Sequence, residues 1–320
     1  MKKPVALIVK LTITVVLLYF AIGRANLAFV VQRMQQLNGA WFAAAAAVAC
    51  CQTVFNAFRW RAILEQCSAA VSIYRALYYT LVSLFFSQVL PSTIGGDAAR
   101  IWLVARDGTS WSKAIYSVMI DRISGVTVLA ASVLFAIPVS FSVIDDRVAR
   151  GALLALGALG VAGPVGLLAL GHQKWTLLDR FPLLRQLNTV ARLTYEIFSS
   201  ARAASLIMLL SLVVQALTVV VAWLAAKSVE SPFTFGDSVL LIPPVLLIAT
   251  IPVSIAGWGV RESAMVLAFS YAGLPQPDGL LVSALFGLAN VVVGLLGGLV
   301  WLIAGRRETA FAVGKPSARL

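Results

Sequence analysis

Two short segments of this 320-residue chain share a pattern of one proline, one glycine and one arginine. The first reads PSTIGGDAAR from Pro91 to Arg100, and the second reads PVSIAGWGVR from Pro252 to Arg261. Both fit Pro-x-x-Ile-x-Gly-x-x-x-Arg, and they lie 161 residues apart. Because proline ends a helix and glycine permits a sharp turn, each segment predicts a break followed by a new helix.

The chemistry that such a break permits is anion binding. The first amides of the new helix and the positive end of its dipole favour a negative charge, and each arginine adds a permanent cation one turn later. The pattern therefore predicts a site for a phosphate group, with the prolines as hinges. Its predicted residues are Arg100, Arg261, Gly95, Gly96 and Gly257 for the phosphate, and Pro91 and Pro252 for the hinges. The alternative is a pair of ordinary helix kinks whose arginines reach to the membrane interface.

Four further charged residues lie beside this pattern or within apolar sequence, and we assign them to coupling or ion pairing. They are Asp97, Asp121, Arg122 and Glu262. Asp121 and Arg122 are expected to pair with Arg100 or with Asp97. Glu262 either balances its neighbour Arg261 or binds a proton. The alternative is a set of structural ion pairs that neutralise one another.

The composition places these residues in a membrane protein. Hydrophobic residues make up 60% of the chain and charged residues 12%, and the mean hydropathy is +0.93. Soluble domains have about 25% charged residues, so this chain has too little polar surface for water. The net charge of +12 fits loops that face the cytoplasm better than nucleic-acid binding. The three cysteines form no metal or disulfide motif, and we predict no cofactor and no bound metal.

Apolar stretches of about 20 residues, the length that crosses a bilayer, occur six times. They are 5–22, 40–58, 115–138, 151–170, 204–226 and 279–304. Two shorter stretches, 76–91 and 239–252, run into the proline-glycine-arginine segments. We therefore predict an all-α polytopic membrane protein with a single transmembrane domain over 1–320. It has about six spanning helices and two re-entrant helical hairpins, 76–113 and 239–274, in an inverted-repeat arrangement.

The distribution of basic residues predicts the orientation. With both termini in the cytoplasm and hairpins that return to their own side, sixteen Lys and Arg residues lie inside and five outside. Loop 171–203 and the basic tail 305–320 are then cytoplasmic. Apolar residues between Leu187 and Phe198 have helical spacing, which fits a helix on the membrane surface or a solvated linker helix. The Arg59-Trp60-Arg61 triplet is interpreted as an interfacial anchor.

Taken together, these residues resemble the lysylphosphatidylglycerol synthetase transmembrane-region family, also described as flippase-like membrane proteins. The resemblance covers nearly the whole chain, and Ala256 departs from it where the family often has a glycine. It rests on Arg59-Trp60-Arg61, Leu90-Pro91 with Gly95-Gly96-Asp97 and Arg100, Asp121-Arg122, and Pro252 with Gly257, Gly259, Arg261 and Glu262. The resemblance implies translocation of a lipid, aminoacylated in the best-understood relatives and polyprenol-linked or hopanoid in others.

The leading hypothesis is therefore a non-enzymatic lipid translocase, a flippase, of the bacterial inner membrane. Its cargo would be an anionic, aminoacylated or polyprenyl-phosphate-type lipid. The sequence has no GxxxxGK[ST] motif, so flipping would be passive or driven by protons through Asp97, Asp121 or Glu262. One alternative is a membrane-embedded transferase that acts on a lipid-linked phosphate. The other is a non-catalytic partner subunit of a lipid-synthesising or glycan-synthesising enzyme. The expected partners are membrane lipids with a phosphate headgroup and no nucleic acid, and the oligomeric state is left open.

Overall fold

A computed structural model of the chain describes residues 33–90, 95–143, 146–173, 182–251 and 259–313. These residues form ten α-helices and contain no strand, which confirms the all-α prediction. The helices are α1 Gly39–Gln66, α2 Ile73–Val89, α3 Gly95–Arg106, α4 Trp111–Val143, α5 Arg147–His172, α6 Pro182–Ser199, α7 Ala201–Lys227, α8 Phe235–Ala249, α9 Val260–Tyr271 and α10 Gln276–Val313.

Five of these helices are long and apolar enough to cross a membrane, namely α1, α4, α5, α7 and α10. Each contains one of the predicted spans from 40–58 onwards. The remaining predicted span, 5–22, lies outside the described residues. The chain is therefore a multi-pass membrane protein, as its composition predicts.

The two halves of the chain repeat the same order of helices. A shift of 161 residues places α1 at 200–227, beside the observed Ala201–Lys227 of α7, and places α2 at 234–250, beside Phe235–Ala249 of α8. The packing is reciprocal, because α2 packs against α10 while its counterpart α8 packs against α4. The internal similarity of the two short sequence motifs therefore extends to a repeat of four helices, α1–α4 and α7–α10.

The two equivalent helices α1 and α7 pack side by side in opposite directions. Near the start of α1, the Trp41 ring lies 6.3 Å from the ring of Trp223, close to the end of α7. Further along, Gln52 Nε2 donates to Thr218 Oγ1 over 2.6 Å. Equivalent helices that run antiparallel require repeats of opposite orientation, so this is an inverted repeat of the kind found in transporters.

In the first half, α2 and α3 form hairpin 1, whose arms run antiparallel. At the tip, Gly96 packs against Ser83 and Ser87 in the last turns of α2. At the base, the Asp107 carboxylate accepts a hydrogen bond from Tyr79 and pairs with Arg75 over 3.2 Å. The chain therefore leaves hairpin 1 close to where it entered.

In the second half, α8 and α9 form hairpin 2 with the same geometry. The Phe269 ring near the end of α9 stacks on Phe233, two residues before α8, with ring centroids 4.9 Å apart. Thr234 and Asp237 form a capping box that starts α8. The turn of hairpin 2, residues 252–258, lies outside the described residues, as does the turn 91–94 of hairpin 1.

The tips of both hairpins lie against the middle of α10. Gln88, near the end of α2, lies beside Gly294, and Arg261, near the start of α9, donates to Ser283 and lies over the Phe286 ring. Eight residues separate Phe286 from Gly294, which is about 12 Å along the helix axis. The apolar part of α10 runs from 276 to 304, so the tips approach its centre from opposite ends.

The described helix ends lie at two opposite ends of the bundle. At end A, which contains residues 67–72 and 107–110, Lys113 Nζ donates to the Ser68 carbonyl over 3.3 Å. At end B, which contains residues 228–234 and 272–275, Ser231 donates to Asp278 over 2.8 Å. The described basic residues that the sequence assigns to the cytoplasm lie towards end A, so end A is the predicted cytoplasmic face.

Helix α6 lies at end A and differs in detail from both sequence interpretations. Its apolar face is covered by protein, because Ile197 packs with residues of α1, α4 and α7 and Tyr195 bonds His172 of α5. Helix α6 also packs closely on α5, because a Cβ built on Gly171 would lie 2.2 Å from the carbonyl oxygen of Ala191. The helical spacing is confirmed, but the apolar face packs on the bundle.

The contact between α10 and α2 predicts a strong effect of one methyl group. A Cβ at Gly297 would lie 2.0 Å from the carbonyl oxygen of Leu81, which forces α2 away from α10. We expect Gly297→Ala to destabilise the protein by about 1–3 kcal/mol in thermal unfolding followed by circular dichroism in detergent.

The matched control is Gly163→Ala in α5, where a Cβ has no described neighbour within 4 Å. That change adds helix propensity and should stabilise the protein or leave it within about 1 kcal/mol of the parent. Equal destabilisation by both changes would contradict the close α2–α10 packing.

The hairpin geometry also predicts which loops share a membrane face. In a background in which Cys50, Cys51 and Cys67 are serine, we expect cysteines introduced at Ala70 and Ser110 to react with an impermeant maleimide from the cytoplasmic side only. Cysteines at Pro232 and Pro275 should react from the opposite side only. Labelling of Ala70→Cys and Ser110→Cys from different sides would show that α2 and α3 do not form a hairpin.

Candidate functional site

The centre of the first half contains a carboxylate between two buried arginines. Asp121 on α4 accepts a bond from Arg59 Nε of α1 over 2.9 Å and from Arg100 Nη1 of α3 over 3.0 Å. The three residues are 3%, 7% and 8% exposed, respectively. Buried charges are stable only when they are paired and hydrogen-bonded, so this carboxylate fixes three helices to one another.

Asp97 extends the cluster to a third arginine. Its two oxygens accept from Arg100 Nη2 over 2.7 Å and from Arg122 Nε over 2.9 Å. Three arginines and two aspartates give this cluster a net charge of +1. The side chain of Arg122 is 56% exposed, so the cluster presents one of its cations at the surface.

Arg100 is held in place by its surroundings, and one of its three side-chain nitrogens has no partner among the described residues. Its guanidinium carbon lies 5.0 Å from the centre of the Trp60 ring, a cation–π distance. The Trp60 indole donates to Ser117 Oγ over 3.3 Å, which fixes the ring. The Nε of Arg100 is buried and has no hydrogen-bond partner in the described part of the chain. Buried donors rarely lack a hydrogen-bond partner, so the Nε of Arg100 is available to donate to an additional acceptor.

The second half contains a smaller charged site around Glu262. Glu262 is 1% exposed and accepts from Arg261 Nη2 over 2.6 Å, from Ser283 Oγ over 3.1 Å, and from the Gly259 amide over 2.6 Å. The last bond caps the start of α9. Arg261 also donates to Ser283 over 3.0 Å. Glu262 therefore balances Arg261 and occupies the helix N-terminus at the same time.

The predicted phosphate-binding glycines of hairpin 1 have a packing role in the structure. A Cβ at Gly96 would lie 1.9 Å from Ser87 Oγ and 2.4 Å from the Ser83 carbonyl oxygen. A Cβ at Gly95 would lie 2.7 Å from the Cβ of Leu90. The start of α3 can approach α2 this closely only because both positions lack a side chain.

The structure brings together most of the residues that the sequence singled out. Asp97, Arg100, Asp121 and Arg122 share the first cluster, and Arg261 and Glu262 form the second. The predicted residues Pro91, Pro252 and Gly257 lie outside the described residues.

The sequence analysis did not predict that Arg59 and Trp60 contact the charged cluster. Both are buried, so the prediction that they anchor the helix at the interface is wrong, and only Arg61 is partly exposed. Helix α1 continues to Gln66, seven residues beyond Arg59, and places that arginine inside the bundle. The signal was available, because Arg59 is followed by Trp60 and by the apolar run Ala62-Ile63-Leu64, so it does not end the apolar sequence.

The fold and the clusters define a class of protein: a multi-pass helical membrane protein built from an inverted repeat with one helical hairpin in each half. The chain belongs to the family described as Lysylphosphatidylglycerol synthase TM region, whose profile matches residues 7–298. The match confirms the resemblance derived from the motifs and identifies a lipid-related membrane protein. A search of individually curated proteins gave no match.

The shared carboxylate predicts a large loss of stability when it is neutralised. Asp121→Asn leaves Arg59 and Arg100 without their common counter-charge inside the bundle. We expect a destabilisation of about 3–5 kcal/mol, measured as a lower unfolding temperature in detergent.

The control is Glu65→Gln, which breaks the Arg61–Glu65 pair at 2.7 Å on a partly exposed turn of the same α1. Screening leaves such pairs worth ~0.5 kcal/mol or less, so this variant should resemble the parent. A parent-like Asp121→Asn would show that the cluster is not what joins α1, α3 and α4.

Proposed function

We propose that this protein is a lipid translocase that moves an anionic phosphate headgroup past the cluster of hairpin 1. The supporting observation is the net charge of +1 on five side chains next to a hairpin tip, with Arg122 largely exposed. Arg122 lies about 6 Å along the helix from the middle of the apolar part of α4, which runs from 111 to 141. A cation at that depth costs about 2.5–3.5 kcal/mol, so it favours a passing anion.

In this proposal both hairpins are re-entrant and their tips separate the two membrane faces. The headgroup phosphate displaces Asp97 from Arg122 and accepts from the unused Arg100 Nε, while the acyl chains remain in the bilayer. Arg59 and Asp121 hold Arg100 in place and do not contact the lipid. Because the two hairpins approach the centre of α10 from opposite ends, small movements of either tip would expose the cluster to one leaflet at a time.

The test is leaflet exchange in proteoliposomes. Purified protein is reconstituted with fluorescent lipids, one anionic and one zwitterionic, and outer-leaflet dye is bleached with dithionite. We expect Arg122→Gln to slow the exchange of the anionic lipid about tenfold or more, which corresponds to ~1.4 kcal/mol or more of barrier. The rate is also measured with and without a proton gradient, which distinguishes passive from proton-driven flipping.

The matched control is Arg61→Gln, which removes a partly exposed, ion-paired arginine at the end-A part of α1, away from the cluster. It should flip lipids at the parental rate. Exchange that is unaffected by Arg122→Gln would remove the cluster from the lipid path. If no lipid in the panel moves, the translocase proposal fails for that panel, and the transferase and partner-subunit hypotheses gain weight.

A further inference from the structure

A second polar site lies at the base of hairpin 1, at end A. It is a cavity of about 240 Å³ between α2, α3 and α10. Its lining residues are Arg75, Tyr78, Tyr79, Leu103, Arg106, Asp107 and Trp301. Two arginines and one aspartate give the lining a net charge of +1, and each of the three helices contributes at least one residue.

The charged groups of this cavity are exposed at end A. The Arg75 side chain is 63% exposed and pairs with Asp107, whose carboxylate also accepts from Tyr79. Arg106 is exposed and lies over the Trp102 ring at 5.5 Å. Trp301 packs on Phe86 with ring centroids 5.3 Å apart, which fixes the wall of the cavity on the α10 side. Arginine beside tryptophan and tyrosine is the arrangement that proteins place at the headgroup layer.

An apolar layer separates this cavity from the ion-pair cluster. Val104 and Trp60 are fully buried, and Tyr79 and Leu103 are nearly so, in one packed group. Arg106 lies six residues from Arg100 along α3, about 9 Å of helix rise, with this layer between the two sites. Among the described residues, the direct path through the bundle from the cavity to Arg100 is therefore filled by this buried group.

We infer that this cavity holds a resident anionic phospholipid whose phosphate bridges Arg75 of α2 and Arg106 of α3. Each guanidinium presents several donors in a planar fork that suits phosphate oxygens. A volume below about 300 Å³ is too small for a whole drug-sized ligand and suits a headgroup whose chains lie in the bilayer. The bound lipid stabilises hairpin 1 by joining its two arms at the base, and it is not transported.

Asp107 sets the affinity of this site. Its carboxylate competes with a phosphate for Arg75 and repels any anion in the cavity. Neutralising Asp107 raises the net charge of the lining from +1 to +2 and leaves an amide oxygen that still accepts from Tyr79. A residue that only supported the fold would not produce tighter lipid binding when it is neutralised.

The experiment measures the shift in unfolding temperature of the purified chain when phosphatidylglycerol is added to detergent, with phosphatidylcholine as the neutral comparison. A ligand that binds only the folded state raises this temperature by an amount that grows with the logarithm of its concentration relative to its Kd, so a titration gives the apparent affinity. We expect phosphatidylglycerol to stabilise the parent, and Arg75→Gln/Arg106→Gln to weaken its apparent affinity about tenfold or more through the loss of two charge-assisted interactions. Asp107→Asn should change the affinity in the opposite direction.

Lys113→Gln is the matched control, because Lys113 is a cation at end A outside the cavity. It should retain the parental shift. An unchanged shift in Arg75→Gln/Arg106→Gln, or a weaker shift in Asp107→Asn, would overturn the inference. Equal stabilisation by soluble glycerophosphate would overturn the assignment to a lipid. Because the readout is equilibrium binding, its result is independent of whether the protein flips lipids.

Discussion

The first half of the molecule depends on two salt bridges, which Asp121 forms with Arg59 and with Arg100. It joins α1, α3 and α4 through charged groups that are buried inside the bundle, away from water. Two arginines cannot be buried side by side unless an anion lies between them. The ion pairs therefore fix the position of hairpin 1 at its tip. Along its length, glycines of α10 allow α2 to pack closely against that helix.

The backbone of the protein is nearly symmetric, but its charges are not. Under the shift of 161 residues, the positions of Arg59, Asp121 and Arg122 correspond to Val220, Val282 and Ser283. The second half therefore keeps only the arginine of the shared motif, Arg261, and neutralises it with Glu262. One half offers a cluster with spare positive charge and the other a balanced pair, so the two hairpins cannot play interchangeable roles towards an anion.

Hairpin 1 has polar groups at both of its ends and apolar packing between them. At the tip, Arg100 and Arg122 share Asp97, and at the base Arg75 pairs with Asp107. The layer around Trp60 and Val104 keeps the two sets apart. A single helical hairpin thus has two sets of charged side chains, each with a net charge of +1, at different positions along its length.

The sequence by itself determined the all-α membrane class of the protein, the order of the five described spanning helices, and the internal repeat. These follow from hydropathy, from the Pro-x-x-Ile-x-Gly-x-x-x-Arg motif, and from the distribution of basic residues, all of which are local properties of the chain. It also named Arg100 and Asp97 as the expected partners of Asp121 and Arg122, because charged residues in apolar sequence need counter-charges.

Only the tertiary structure decided which charges meet. Arg59 joins the cluster because α1 extends past it and packs beside α4, and no local pattern states that distance. Likewise, the base cavity exists because Trp301, near the other end of the chain, returns to hairpin 1. Contacts between helices depend on how the helices pack and on which side of each helix faces its neighbour. Neither can be read from a single sequence.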